Sequence, residues 1–137
     1  MNKRTFTTDI ILLGLSVLLT IGSLTFAAPC GAHEDGTFMS CHWAGNAVFG
    51  LGLVLTAMSA VHIITGNNSV KTGLAAGLIP ASVLAALIPG TFIDICKMDT
   101  MRCVSVMRPA DIIIAFVITG VAVIDIIIQQ RKRRNIV

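Results

Sequence analysis

The stretch Asp111–Gln130, DIIIAFVITGVAVIDIIIQQ, decides the fold. Its interior carries a single charge, Asp125, and the basic run Arg131-Lys132-Arg133-Arg134 follows it at once. A helix rising about 1.5 Å per residue crosses a hydrocarbon core of about 30 Å in about 20 residues, which is the length of this run. Three further stretches read the same way: Asp9–Ala28, Trp43–Thr65 and Thr72–Ile93. In lipid, backbone polar groups must be satisfied within the segment, so each run is expected to be a helix. A barrel needs alternating apolar and polar residues, which Ile10-Ile11-Leu12-Leu13 and Ile112-Ile113-Ile114 lack. The expected fold is therefore all-α, an integral membrane four-helix bundle forming one domain over residues 1–137.

Composition agrees. Of 137 residues, 55% are hydrophobic and only 12% charged, about half the charged share of soluble domains. The first run also resembles a secretory signal, with Lys3 and Arg4 before it and Thr25-Phe26-Ala27 near its end. Its length exceeds the usual 7–15 residue signal core, so retention as a helix is expected.

Basic residues near helix ends set the orientation. Lys3, Arg4, Lys71 and Arg131–Arg134 fall on one side, and Lys97, Arg102 and Arg108 on the other. The richer side is expected to be cytoplasmic, giving an N-in/C-in bundle in the cell (inner) membrane with a short extracytoplasmic cap. The net charge of +3 reflects this anchoring and points to the lipid bilayer, not to nucleic acid.

Gly73, Gly77, Ala81 and Ala85 recur every four residues in the third run, a stripe on which another helix backbone can approach closely. Packing within the bundle is the favoured reading, ahead of a homo-oligomer or partner interface. Gly14 and Gly22 in the first run, and Gly45, Gly50 and Gly52 in the second, offer further close-approach points. Pro80 removes a helix donor and is expected to kink the third span. Pro89-Gly90 is expected to end it, and Gly66-Asn67-Asn68-Ser69 to form a short turn between antiparallel neighbours.

Three ionisable residues fall inside or at the ends of the runs: Asp9, His62 and Asp125. His62 and Asp125 sit at comparable depth near the cytoplasmic end, where they can pair, with Asp9 on the same side. Such residues suggest a proton or ion relay. The stronger expectation is that all three, within about two turns of the boundary, reach water by snorkelling. Asn46, near the outer end of the second run, is expected to make an interhelical hydrogen bond.

All 4 cysteines lie in the two outer loops, Cys30 and Cys41 in one, Cys96 and Cys103 in the other. Three readings compete. Structural disulfides come first, because the compartment outside the cytoplasmic membrane lets bridges persist, although spacing leaves the pairing open. A thiol–quinone oxidoreductase comes with a serious mark against it: such enzymes typically carry Cys-x-x-Cys, which this chain lacks. A copper or haem site is the third, built from His42, Cys96, Met98, Met101 and Cys103, since thiolate and thioether donors favour Cu(I) and imidazole suits copper or haem iron. No cofactor is expected under the first reading. Gly-x-Ser-x-Gly, His-Glu-x-x-His and Walker-type loops are all missing from the sequence, so ATPase, kinase or protease chemistry is not expected.

The order of Cys30, Cys41-His42-Trp43 opening the second run, Pro89-Gly90 closing the third, then Cys96, Cys103 and Pro109, resembles a family of small bacterial and archaeal membrane proteins known as domain of unknown function 4418. The resemblance spans the whole chain and implies a four-span membrane protein. It also implies an association with permease and ATPase subunits of ABC-type transporters, and it carries over no active site. The expected role is a non-enzymatic accessory or interaction subunit of a membrane assembly, with a disulfide-stabilised outer cap.

Overall fold

The computed structural model describes residues 3–25, 36, 40–93 and 103–135. Among these, four long helices account for nearly all the chain: α1 Lys3–Leu24, α2 Ser40–Ile64, α3 Asn68–Leu87 and α4 Arg108–Arg134. Each contains a segment long and apolar enough to cross a membrane, namely Phe6–Leu24, His42–Ile64, Asn68–Phe92 and Ser105–Arg134. No strand occurs among the described residues. The all-α, four-span architecture expected from the apolar runs is the architecture observed.

Local sequence explains the helix ends. Asn67 caps α3 by accepting a hydrogen bond from the Ser69 amide at 3.0 Å, which satisfies one of the free donors of the first turn. α3 continues through Pro80 and stops at Pro89-Gly90. There the backbone adopts φ −73°, ψ 106° at Pro89 and φ +93°, ψ −1° at Gly90, the dihedrals of a type II turn, whose third position needs glycine. A wide helical turn, Cys103–Met107, leads into α4. At the far end of α4, Arg131–Arg134 fill the last turn, where cations complement the helix dipole. The Arg133 guanidinium there donates to the Ser69 hydroxyl, tying α4 to the start of α3.

α1 packs on α2, α2 on α3, α3 on α4, and α4 back on α1, closing an up-and-down ring. Lipid is as apolar as leucine, so close packing and interhelical hydrogen bonds must hold the helices together. Leu12, Leu19, Val48, Leu55, Leu78 and Ile118 fill the centre. Around them run hydroxyl pairs: Ser16–Ser59 at 3.1 Å and Thr20–Thr56 at 3.3 Å join α1 to α2, and Ser82–Thr119 at 2.8 Å joins α3 to α4. Ser16, Thr20, Thr56, Ser59 and Thr119 also lie within hydrogen-bond distance of the carbonyl four residues back in their own helices; each hydroxyl has one proton, so in each pair one hydroxyl donates to its carbonyl and accepts from the other. Their hydroxyls are therefore satisfied even where the helix partner is apolar.

Two glycines mark the tightest approaches. A Cβ on Gly52 would stand 2.7 Å from Thr20 Oγ1 and 3.1 Å from Thr20 Cα, so α1 and α2 meet there almost backbone to backbone. A Cβ on Gly77 would come 2.9 Å from Met58 Cε, bringing α3 against α2. Ala85 is fully buried, and Ala81 packs against the core from a partly buried position. Gly73, by contrast, is exposed on the outside of the bundle with open space beside it.

Candidate functional site

The up-and-down order gathers the start of α1, the end of α2, the start of α3 and the end of α4 at one end of the bundle. Each helix turns a seam inward at three- and four-residue spacing. In α4 the buried positions are Asp111, Ala115, Ile118, Ala122, Asp125 and Gln129, and in α3 they are Lys71, Ala75, Leu78, Ser82 and Ala85. This is the period of helices packed in a bundle. On those seams, at the shared end, stand Asp9 from α1, His62 from α2, Lys71 from α3 and Asp125 from α4.

These four side chains touch. His62 Nδ1 lies 3.1 Å from Asp9 Oδ1, and His62 Nε2 lies 3.1 Å from Asp125 Oδ2. Lys71 Nζ donates to Asp9 Oδ2 at 2.6 Å. The pairs cross the bundle: Lys71–Asp9 joins α3 to α1, and His62–Asp125 joins α2 to α4. Those helices face each other across the ring and otherwise pack little together. The contact between His62 and Asp9 links the two diagonals into a cross-brace. Gln129 Nε2 donates to Asp125 Oδ2 at 2.5 Å, and the Thr72 hydroxyl donates to Gln129 Oε1 at 2.9 Å, extending the network along α4 to α3.

Burial departs from the snorkelling expected from sequence. His62 and Asp125 are 0% exposed, Asp9 is 3% and Lys71 9%. Snorkelling requires the side chain to run along the bundle's outer surface, whereas the helix rotations turn all four inward, where each can be paired. In sequence, Lys71 signals only the basic side of the bundle, and nothing there marks Gln129 or Thr72 as part of the cluster.

The trio Asp9, His62 and Asp125 has ligand atoms within 4.8 Å of one another, close enough for a metal ion by distance alone. Its chemistry does not fit one. Asp9 already holds the Lys71 ammonium and Asp125 the Gln129 amide. The two imidazole nitrogens also face different carboxylates, so only one could join a common ion. What the arrangement does hold is two carboxylates, an imidazole and an ammonium, one from each helix, in a water-poor interior.

The remaining candidates lie elsewhere. Asn46 Nδ2 is 3.2 Å from His42 Nε2, one turn away on the same helix and exposed, not reaching across to a neighbour as expected. The His42 ring also meets the Trp43 ring edge-on, with centroids 6.0 Å apart. Cys30, Cys96, Met98 and Met101 lie outside the described residues, and so do the side chains of Cys41 and Cys103. Asp111 is buried in the first turn of α4 with Oδ2 unpartnered, where the helix dipole favours negative charge. A cleft of about 270 Å³ opens between α3 and α4, lined by Val83, Leu87, Ile112 and Phe116 with Arg108 beside them.

Comparison with known families gives one match. The family described as Domain of unknown function (DUF4418) covers residues 10–128, and the chain belongs to it. No curated protein matches the chain, and neither does any solved structure.

Proposed function

We propose that this member of the family is a non-enzymatic accessory subunit that docks through its outward helix faces onto a larger membrane assembly. The partners to which the sequence resemblance points are permease and ATPase subunits of an ABC-type transporter. One observation carries the reading. Gly14, Gly50, Gly73 and Gly120, one on each helix, are exposed on the outside of the bundle, with no atom within 4 Å of where a Cβ would stand. A glycine inside a helix is about 1 kcal/mol less favourable than alanine, and no contact among the described residues offsets that. In a bilayer, bare backbone of this kind is where a second helix packs closely.

In this reading both termini and the turn before α3 face the cytoplasm, and the cysteine-bearing loops form a bridged cap outside. Affinity purification of the crosslinked protein from its native host, in mild detergent, tests the docking. Larger membrane partners should copurify, and Gly50→Leu with Gly73→Leu should remove them without lowering the unfolding midpoint of the purified chain. Recovery of monomer alone, or of a homo-oligomer alone, overturns the accessory role. Mass-spectrometric thiol counting with and without reductant tests the cap, for which two inert bridges are expected. A bridge that exchanges with quinone or an external dithiol would make the protein an enzyme. Four free thiols with bound copper or haem would make it a metal-binding protein.

A further inference from the structure

We infer that Asp9, His62 and Asp125 form a buried proton-binding site that holds one proton between an imidazole and two carboxylates, with Lys71 as its fixed counter-charge. The inference is independent of the docking role, because it rests on the interior of the bundle and not on its outer faces.

Both imidazole nitrogens face carboxylate oxygens at 3.1 Å. A neutral imidazole has one N–H and one bare lone pair. With both carboxylates ionised, that lone pair would face an anionic oxygen at close range, without water to screen the repulsion. One added proton removes the conflict. On the ring, it makes an imidazolium with an N–H toward each carboxylate. On a carboxyl, it supplies an O–H for the bare nitrogen. Either placement puts the same single proton in the same three-residue site.

Charge points the same way. Around His62, α1 contributes Asp9, α3 contributes Lys71 and α4 contributes Asp125, and no other charged side chain lies within ion-pair distance among the described residues. Two carboxylates and one ammonium leave one uncompensated negative charge. An isolated buried charge is far too costly to persist, so the site takes up a compensating cation. The smallest cation, a proton, is the one that fits between atoms already 3.1 Å apart.

Asp9 Oδ1, both His62 nitrogens and Asp125 Oδ1 are buried without an aligned hydrogen bond. Both ring nitrogens and Asp9 Oδ1 are close to a partner yet off the ideal line, so the ring can rotate slightly toward one carboxylate or the other. Lys71 is the least buried of the set, which places the aqueous approach on the Lys71–Asp9 side. Toward the opposite end, fully buried Leu12, Leu55, Leu78 and Ile118, one from each helix, close the interior. A proton can therefore enter and leave from one end only. An interior closed at the other end does not suit conduction of protons across the bilayer.

The test uses the full chain with His33→Gln and His42→Gln, which leaves His62 as the one histidine and the triad intact. Nitrogen-15 NMR of the labelled ring in bilayers at neutral pH, with infrared spectra of the carboxyl region, locates the proton. Two protonated ring nitrogens support the inference. A neutral ring supports it too, if a carboxylic acid band is present and is lost in Asp9→Asn or Asp125→Asn. A neutral ring with no such band overturns it, as does a bound metal ion in stoichiometric amount. Lys71→Met adds a readout that a purely structural brace would not move. Removing the counter-charge should draw in a second proton and produce a new carboxylic acid band, and an unchanged spectrum in a folded variant counts against the site.

Discussion

Gly50 and Gly52 lie two positions apart on α2 yet should respond in opposite ways to the same substitution. At Gly52, a new Cβ would lie 2.7, 3.1 and 3.3 Å from Thr20 Oγ1, Cα and Cβ. The Thr20 hydroxyl can turn, but its Cα belongs to the α1 backbone and cannot, so the two helices must separate. Overpacking of this kind typically costs about 1–3 kcal/mol. Separation would also stretch the Thr20–Thr56 and Ser16–Ser59 contacts alongside it. At Gly50 the same Cβ meets nothing within 4 Å, so Gly50→Ala should bring only the helix-propensity gain of up to about 1 kcal/mol. Because both variants are glycine to alanine in one helix, that gain cancels in their difference. The difference isolates the steric term, expected at about 1–3 kcal/mol in favour of Gly50→Ala. Reversible unfolding of the purified variants in mixed micelles measures it. Equal stability, within the roughly 0.5 kcal/mol expected of neutral surface changes, would refute the close packing of α1 on α2.

Three other substitutions probe separate parts of the bundle. Asp125→Ala leaves His62 and Gln129 buried without their shared acceptor, and should lower stability by about 3–5 kcal/mol in the same unfolding assay. Ser82→Ala removes the hydroxyl that reaches both Thr119 and the Ile79 carbonyl, while Thr119 keeps its bond to the Ala115 carbonyl; a loss near 0.6 kcal/mol, and no more than about 1.7, is expected. Gly90→Ala forces a side chain into φ +93°, with its Cβ 3.3 Å from Arg108 Cζ. Left-handed backbone costs about 1–2 kcal/mol, so the unfolding midpoint should fall accordingly, whereas Gly66→Ala, with open space beside it, should not show that loss.

The parts of the fold that sequence exposes are those set along the helix axis. The apolar runs give four spans, Pro89-Gly90 gives the end of the third, and Gly66-Asn67-Asn68-Ser69 gives a short turn, because each depends on residue order alone. The antiparallel order also puts His62 and Asp125 at matching depth. Helix rotation is another matter. A run that is apolar all round does not say which face turns inward, so the depth of Asp9, His62 and Asp125 was legible while their burial was not. Lys71, one residue before its apolar run, carries a second role beside the topology signal it gives. The missed clue is the seam itself. Asp9, Leu12, Ser16 and Leu19, like Ala122, Asp125 and Gln129, follow three- and four-residue steps in which small and polar residues recur. In a membrane bundle, such residues belong inside. The cysteines give the contrary case: their grouping between the apolar runs is obvious in sequence, but residue order does not encode which of them meet.

One cross-brace of ionisable side chains fastens all four helices, through pairs that span the diagonals of the ring. A double-mutant cycle across the diagonal joining α2 to α4, with His62→Leu, Asp125→Leu and the double variant unfolded in the same micelles, tests it most directly. Removing either partner alone leaves the other charged or polar group unpaired, whereas removing both leaves an apolar pair. A coupling of about 1–3 kcal/mol is expected, with the double variant less destabilised than the sum of the singles. Effects that add within about 0.5 kcal/mol would mean that His62 and Asp125 act independently, and would contradict it.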